Sequence, residues 1–115
     1  MGHIDLTAVN ADLGRNAPAL VEWALGLGKT SIVTTNFRPF EAVILHMVTQ
    51  VNPKVPVVWM DNGYNTEATY RFADEVTKQL GLNLKIYLPL RSRAHREAVE
   101  GPTPALDAPR PAAPP

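Results

Sequence analysis

The stretch Val55-Pro56-Val57-Val58-Trp59-Met60-Asp61-Asn62-Gly63 decides the architecture of this chain. Its first six residues form an uninterrupted apolar run with β-branched members, which is how a strand of a parallel sheet buried on both faces reads. Asp61-Asn62-Gly63 then supplies turn chemistry.

Working outward, residues 66–80 carry the period of a helix, with Thr69, Phe72, Ala73, Val76 and Leu80 facing inward. Asp74 and Lys78 form an i,i+4 pair on its outer side, and Gly81 ends it. Residues 83–88 alternate Leu84, Ile86 and Leu88 against Asn83, Lys85 and Tyr87, the pattern of a strand.

On the other side, Pro39 opens a helix that runs to Val51, with Val43, Ile44, Met47, Val48 and Val51 on one face. Asn52-Pro53 stops it, because proline disfavours helical backbone in the residue before it. The β-branched run at residues 30–35 is a strand. Two helices lead in, over residues 5–13 and 17–27, the second capped by Asn16 with Pro18 in its first turn. Ser92 caps a last short helix over residues 93–100.

The order is therefore a helical lead-in followed by β-α-β-α-β. Strands joined through helices at this spacing need right-handed crossovers and form a parallel sheet. The fold class is α/β: one half of a Rossmann-like doubly wound fold, with a three-stranded parallel sheet, flanking helices and an incomplete look. Residues 1–100 make up this domain. Residues 101–115 hold six of the chain's eleven prolines and read as an extended or disordered tail.

Composition removes several function classes. In 115 residues, 45% are apolar and 19% charged, which suits a packed globule. Eleven Lys and Arg balance eleven Asp and Glu, so no net field draws in nucleic acid or an anionic membrane. The chain has no cysteine, which excludes disulfides, iron–sulfur clusters, cysteine zinc sites and any thiol nucleophile. No metal site or cofactor is expected. No apolar stretch is long enough to span a bilayer and no signal-peptide core opens the chain, so the expected location is the cytoplasm. Exposed outer strands would invite pairing, and a homo-oligomer is one expected outcome.

In open α/β sheets a ligand sits at the carboxyl ends of the strands. Two loops fall there. Thr34, Thr35, Asn36, Phe37 and Arg38 run into a helix start whose free N–H groups favour an anion. They read either as a phosphate loop, with Arg38 pairing an oxygen, or as an ordinary cap. Asp61 ends an apolar strand, where it accepts from an adenine or ribose donor or else closes its own Asn62-Gly63 turn. Gly63 supplies a positive φ. Gly26-Leu27-Gly28-Lys29-Thr30 ends like a P-loop but lacks the earlier glycine and precedes a strand, so it is rejected. His46 has no partner for catalysis, and Trp23 and Trp59 read as core. Arg91, Arg93, His95 and Arg96 form the one basic cluster, either a solvated face or an overhang on the same sheet edge.

Residues 28–92 resemble the N-terminal half of the sulfonucleotide reductases (phosphoadenylyl-sulfate and adenylyl-sulfate reductases) in the adenine nucleotide alpha-hydrolase-like superfamily. The resemblance is carried by Thr34-Thr35-Asn36-Phe37-Arg38, Ala42-Val43-Ile44-Leu45-His46-Met47-Val48, Asp61-Asn62-Gly63-Tyr64 and Glu67-Ala68-Thr69-Tyr70-Arg71-Phe72, with residues 82–87 similar to the family's third strand. Arg38 stands where the family has glycine, and Asn62 where it has threonine.

The resemblance implies an adenine sulfonucleotide as substrate or product, its phosphosulfate and ribose at Thr34, Thr35, Asn36 and Phe37, and its adenosine at Asp61 and Gly63. It also implies a role in assimilatory sulfate reduction. The family's catalytic cysteine lies in a later segment; its thiolate takes up the sulfonyl group, which thioredoxin or glutaredoxin then releases as sulfite. Lacking any cysteine, this chain has no catalytic residue of its own, and those partners enter only if a cysteine-bearing half is supplied. An adenylate-forming relative, such as the ATP sulfurylase small subunit or an ATP pyrophosphatase, is the second expectation, though Asn36-Phe37-Arg38-Pro39 is not its pyrophosphate loop. A non-catalytic interaction module is the third.

Overall fold

The computed structural model describes residues 3–105. Eight elements follow in order: α1 (Leu6–Leu13), α2 (Ala17–Leu25), β1 (Val33–Thr34), α3 (Glu41–Val51), β2 (Pro56–Met60), α4 (Glu67–Leu80), β3 (Asn83–Tyr87) and α5 (Arg93–Glu100). The strands form one parallel sheet in the order β1-β2-β3. Most of the expected tail, residues 106–115, lies outside the described residues. No described helix is long and apolar enough to cross a membrane.

The local signals behave as their chemistry requires. Asp5, Asn16, Thr66 and Ser92 each accept from a backbone N–H three residues on, at 3.1–3.2 Å, and so cap α1, α2, α4 and α5. Asn52 leaves the helical conformation ahead of Pro53 and ends α3. Gly81 closes α4 in the left-handed region, at φ +64°. The Asp74–Lys78 pair forms at 2.9 Å.

Both crossovers step across the sheet in the same direction, so their common handedness puts α3 and α4 on one face. There Leu45, Val57, Trp59, Ala73, Val76 and Leu82 make the core with Phe37, and Val33 and Leu84 pack against it. Val33, Val57 and Leu84 are aligned across the three strands and share that face.

Several sequence expectations are corrected. β2 is not buried on both faces: Val57 and Trp59 are buried, Val58 is half-buried and Met60 is exposed, because the same-sided crossovers leave the second face uncovered. The distal end of β3 is exposed as well: Tyr87 pairs with Met60 on that second face, while Ile86, aligned with the buried Trp59, and Leu88 are exposed at the edge of the helix-packed face. β1 spans only Val33–Thr34 rather than residues 30–35. It is an edge strand, and a longer ladder would have to run back past Pro56, which has no N–H to donate.

The helix after Pro39 becomes regular at Glu41, preceded by a tight turn in which Glu41 N donates to Arg38 O at 3.0 Å and Val43 N to Phe40 O at 3.3 Å. Its buried residues are Leu45, Val48 and Thr49, whereas Val43, Ile44 and Val51 are exposed. α3 is apolar on more of its circumference than this sheet covers, so of the expected stripe Val48 is buried and Met47 half-buried while the other three are exposed. Finally, α2 ends at Leu25, and Trp23 is half-buried while Trp59 is in the core.

Candidate functional site

The two loops singled out in the sequence meet at the carboxyl ends of β1 and β2. Asn36, Phe37, Arg38 and Pro39 form one wall of a polar cleft of about 380 Å3, and Met60, Asn62, Asn65 and Thr69 form the other, with Trp59 at its base.

The first wall is shaped by three consecutive decisions of the chain. Thr35 N still donates to Val58 O of the ladder, at 3.0 Å. The buried Thr35 hydroxyl then accepts from Phe37 N at 3.0 Å, bending the backbone back. Phe37 takes a left-handed conformation at φ +56°, unusual for a bulky residue. Its ring is buried edge-on against Trp59, centroids 4.9 Å apart, and this burial holds the turn. Asn36 and Arg38 consequently face outward. Their N–H groups both donate to Oε2 of Glu41, at 3.2 Å and 2.7 Å.

The positive φ falls on Phe37 and not on Arg38. Position 38 therefore does not need glycine for its backbone shape. None of the described ion pairs uses Arg38, and its side chain stands exposed at the cleft.

On the second wall Asp61 is buried and its Oδ1 collects three donors: Gly63 N at 2.9 Å, Asn65 Nδ2 at 2.9 Å and the Tyr70 hydroxyl at 2.8 Å. The Asx turn expected from the sequence is thus formed. No described residue donates to Oδ2, which leaves that oxygen as the acceptor Asp61 offers. Partial burial, and then the Asp61 carboxylate, lift the Tyr70 phenol above its usual 10.0. Asp61 itself borders a smaller adjoining cavity of about 290 Å3 with Met60, Asn62, Tyr87, Leu88 and Pro89. Met60 and Asn62 are shared between the two spaces.

Gly63, at φ +84°, packs beneath the start of α5; a Cβ placed on it would lie 3.7 Å from that of Arg93. Arg93 and Arg96 of the basic cluster lie over the Tyr64 ring, 5.1 Å and 5.8 Å from its centroid. The cluster does overhang the loop after β2. Arg93 is also held by Glu97 at 3.0 Å, which raises its pKa and lowers that of Glu97.

Of the candidate residues, Asn36, Phe37 and Arg38 line the cleft. Thr35 supports it from below, and Asp61 and Gly63 stand behind its second wall. Thr34 lies elsewhere, in an apolar groove between α2 and the edge of β1. Sequence reasoning missed Glu41, Asn65 and Tyr70. An acid in a first helical turn and a tyrosine one turn into α4 both read as ordinary helix composition.

Comparison with known proteins shows which sequences and folds the chain is similar to. Residues 30–106 match the family model described as the phosphoadenosine phosphosulfate reductase domain. A phosphoadenosine 5'-phosphosulfate reductase of Synechococcus sp. is 44% identical over 98 residues, covering 84% of this chain and 42% of the relative. One from Xanthomonas euvesicatoria pv. vesicatoria is 46% identical over 99 residues, covering 84% and 41%. The chain thus spans about two-fifths of the length of these curated relatives. A crystal structure of phosphoadenylyl-sulfate reductase from Candida auris, in a phosphate complex, shares the fold. It has a TM-score of 0.71 and 24% identity, over 87% of this chain and 53% of that one.

Proposed function

Because the chain belongs to the phosphoadenosine phosphosulfate reductase domain family, we propose that it is the nucleotide-binding part of a sulfonucleotide reductase-like protein of assimilatory sulfate reduction, acting in the cytoplasm. Its ligand is an adenine sulfonucleotide, phosphorylated or unphosphorylated at the ribose, or the adenylate product.

The observation that carries this reading is the polar cleft itself. Two loops from neighbouring parallel strands face one another across a space of about 380 Å3 at the sheet's ligand-binding edge. On one side the Arg38 guanidinium supplies hydrogen-bond donors suited to an anionic phosphate or sulfate ester, beside the Asn36 and Arg38 N–H groups that the Glu41 carboxylate holds. Behind the other wall, in the adjoining cavity that shares Met60 and Asn62 with the cleft, Asp61 supplies an acceptor for the amino or hydroxyl donors of adenosine.

The chain's own residues bind and orient. With no cysteine, they offer no thiolate to take up the sulfonyl group. Reduction, and with it thioredoxin or glutaredoxin, requires a cysteine-bearing segment such as the portion of the relatives that this chain does not match.

Calorimetric titration with adenosine 3',5'-bisphosphate tests the reading. Saturable binding, weakened by Asp61→Asn, is expected. Absence of heat and of thermal stabilisation at millimolar ligand overturns it. Phosphoadenylyl sulfate supplied with thioredoxin is expected to yield no sulfite from this chain alone.

A further inference from the structure

The first loop already holds an anion, and that anion is part of the chain. With Phe37 in the left-handed region and its neighbours outside it, the backbone around Asn36 and Arg38 curls so that both N–H groups converge on one point. Glu41 Oε2 sits at that point, 3.2 Å from Asn36 N and 2.7 Å from Arg38 N. The third amide of the curl, Phe37 N, is committed to Thr35 Oγ1. Asn36 and Arg38, whose amides Glu41 holds, border the open cleft that a ligand would enter, whereas Glu41 itself is not among the lining residues.

We propose that Glu41 is an affinity-setting residue of this cleft: its carboxylate occupies the amide pair that a ligand oxyanion would otherwise take. The inference rests on the nucleotide reading above and deepens it. An incoming phosphate or sulfate oxygen either displaces Glu41 from the two amides or binds beside a like charge, and both cost affinity. Arg38 partly offsets this cost, since its guanidinium is at the cleft and unpaired among the described residues. Glu41 thereby selects for ligands whose other contacts, such as those of an adenosine moiety, make up for the exchange, and against small free anions.

Glu41→Gln separates charge from shape. The glutamine carbonyl still accepts from the two amides, but as a neutral acceptor it is the weaker competitor. Wild type and Glu41→Gln are titrated with inorganic sulfate against sodium chloride of matched ionic strength, and separately with adenosine 3',5'-bisphosphate, reading calorimetric affinity and the ligand-induced rise in Tm. Glu41→Gln is expected to bind sulfate about fivefold or more tighter than wild type, the size of one like charge removed at close range.

Sulfate affinity that is equal or lower in Glu41→Gln overturns the inference and leaves Glu41 as a tie for the loop, in which case only the Tm of the unliganded protein moves. Should sulfate gain in Glu41→Gln while neither protein binds the bisphosphate, the nucleotide reading falls and the role of Glu41 stands. Should the bisphosphate bind both while neither ligand gains, the nucleotide reading stands and the role of Glu41 falls. Glu41→Ala, which removes the tie altogether, is expected to show the same direction of change in sulfate affinity.

Discussion

The hydroxyl of Tyr70 donates to Oδ1 of Asp61 at 2.8 Å, joining the start of α4 to the residue that follows β2. The bond does two things at once. It supplies one of three donors to a buried carboxylate, and it fixes which carboxylate oxygen remains unused.

Tyr70→Phe is therefore expected to lower stability by about 1.5–3 kcal/mol at neutral pH, the contribution of a hydrogen bond to a charged acceptor. The sign with pH follows from the raised phenol pKa. A folded-state pKa above the unfolded value means stability that is complete below about pH 10 and lost as pH rises through the folded value. Denaturant unfolding should show wild type losing its advantage over Tyr70→Phe in alkali. A spectrophotometric titration should lose the raised Tyr70 phenol in the variant. An advantage that is constant into strong alkali would contradict the bond.

Phe37 separates backbone from packing. Its ring is buried against Trp59, so truncation is costly, at about 3–5 kcal/mol for Phe→Ala in a core. Its φ of +56° adds a second term, because an alanine there keeps the left-handed penalty and a glycine does not. Phe37→Gly should thus be more stable than Phe37→Ala by about 1 kcal/mol, reversing the order expected at an ordinary position. Urea midpoints with equal slopes would measure it.

How far the site was legible follows from the range of each interaction. Asp61 was found because an acid ending an apolar strand is a local pattern, and its turn with Asn62 and Gly63 is closed within three residues. Tyr70 and Asn65 were missed as its partners because their contacts depend on where α4 leaves the loop, which no spacing rule specifies. Glu41 was missed for another reason: an acid just after Pro39 is what any helix start prefers. The strand order and the two crossovers were legible from alternating periods. Which faces end up covered was not. Val55 to Met60 is apolar throughout, and burial of its second face depends on chain that would pack there rather than on the strand itself.

Tyr64 tests what holds α5. No residue of α5 is buried, and its link to the sheet runs through Arg93 and Arg96 over the Tyr64 ring and through the close approach of Arg93 to Gly63. Tyr64→Ala should cost no more than about 1 kcal/mol of global stability, the scale of exposed cation–π contacts. Amide exchange across residues 93–100 should nevertheless accelerate, because local opening of α5 no longer breaks those contacts. Unchanged exchange there, with a large global loss, would place Tyr64 in the core instead.

The sheet's two faces give the last prediction. Val57 is 1% exposed and aligned with Val33 and Leu84 beneath α3 and α4, whereas Met60, three residues on, is 69% exposed on the uncovered face. Both belong to the same apolar run, so composition treats them alike. Val57→Ala removes two methyl groups from a packed layer and should cost about 1–3 kcal/mol. Met60→Gln exchanges one exposed flexible chain for another and should stay within about 0.5 kcal/mol of wild type. Comparable losses at the two positions, by denaturant unfolding of the whole chain, would mean that something covers the second face in solution. Such a result would also be expected to make the Met60 difference depend on protein concentration if that cover is another copy of the chain. A large Val57 effect beside a negligible and concentration-independent Met60 effect is the outcome that a sheet helix-packed on one side alone requires.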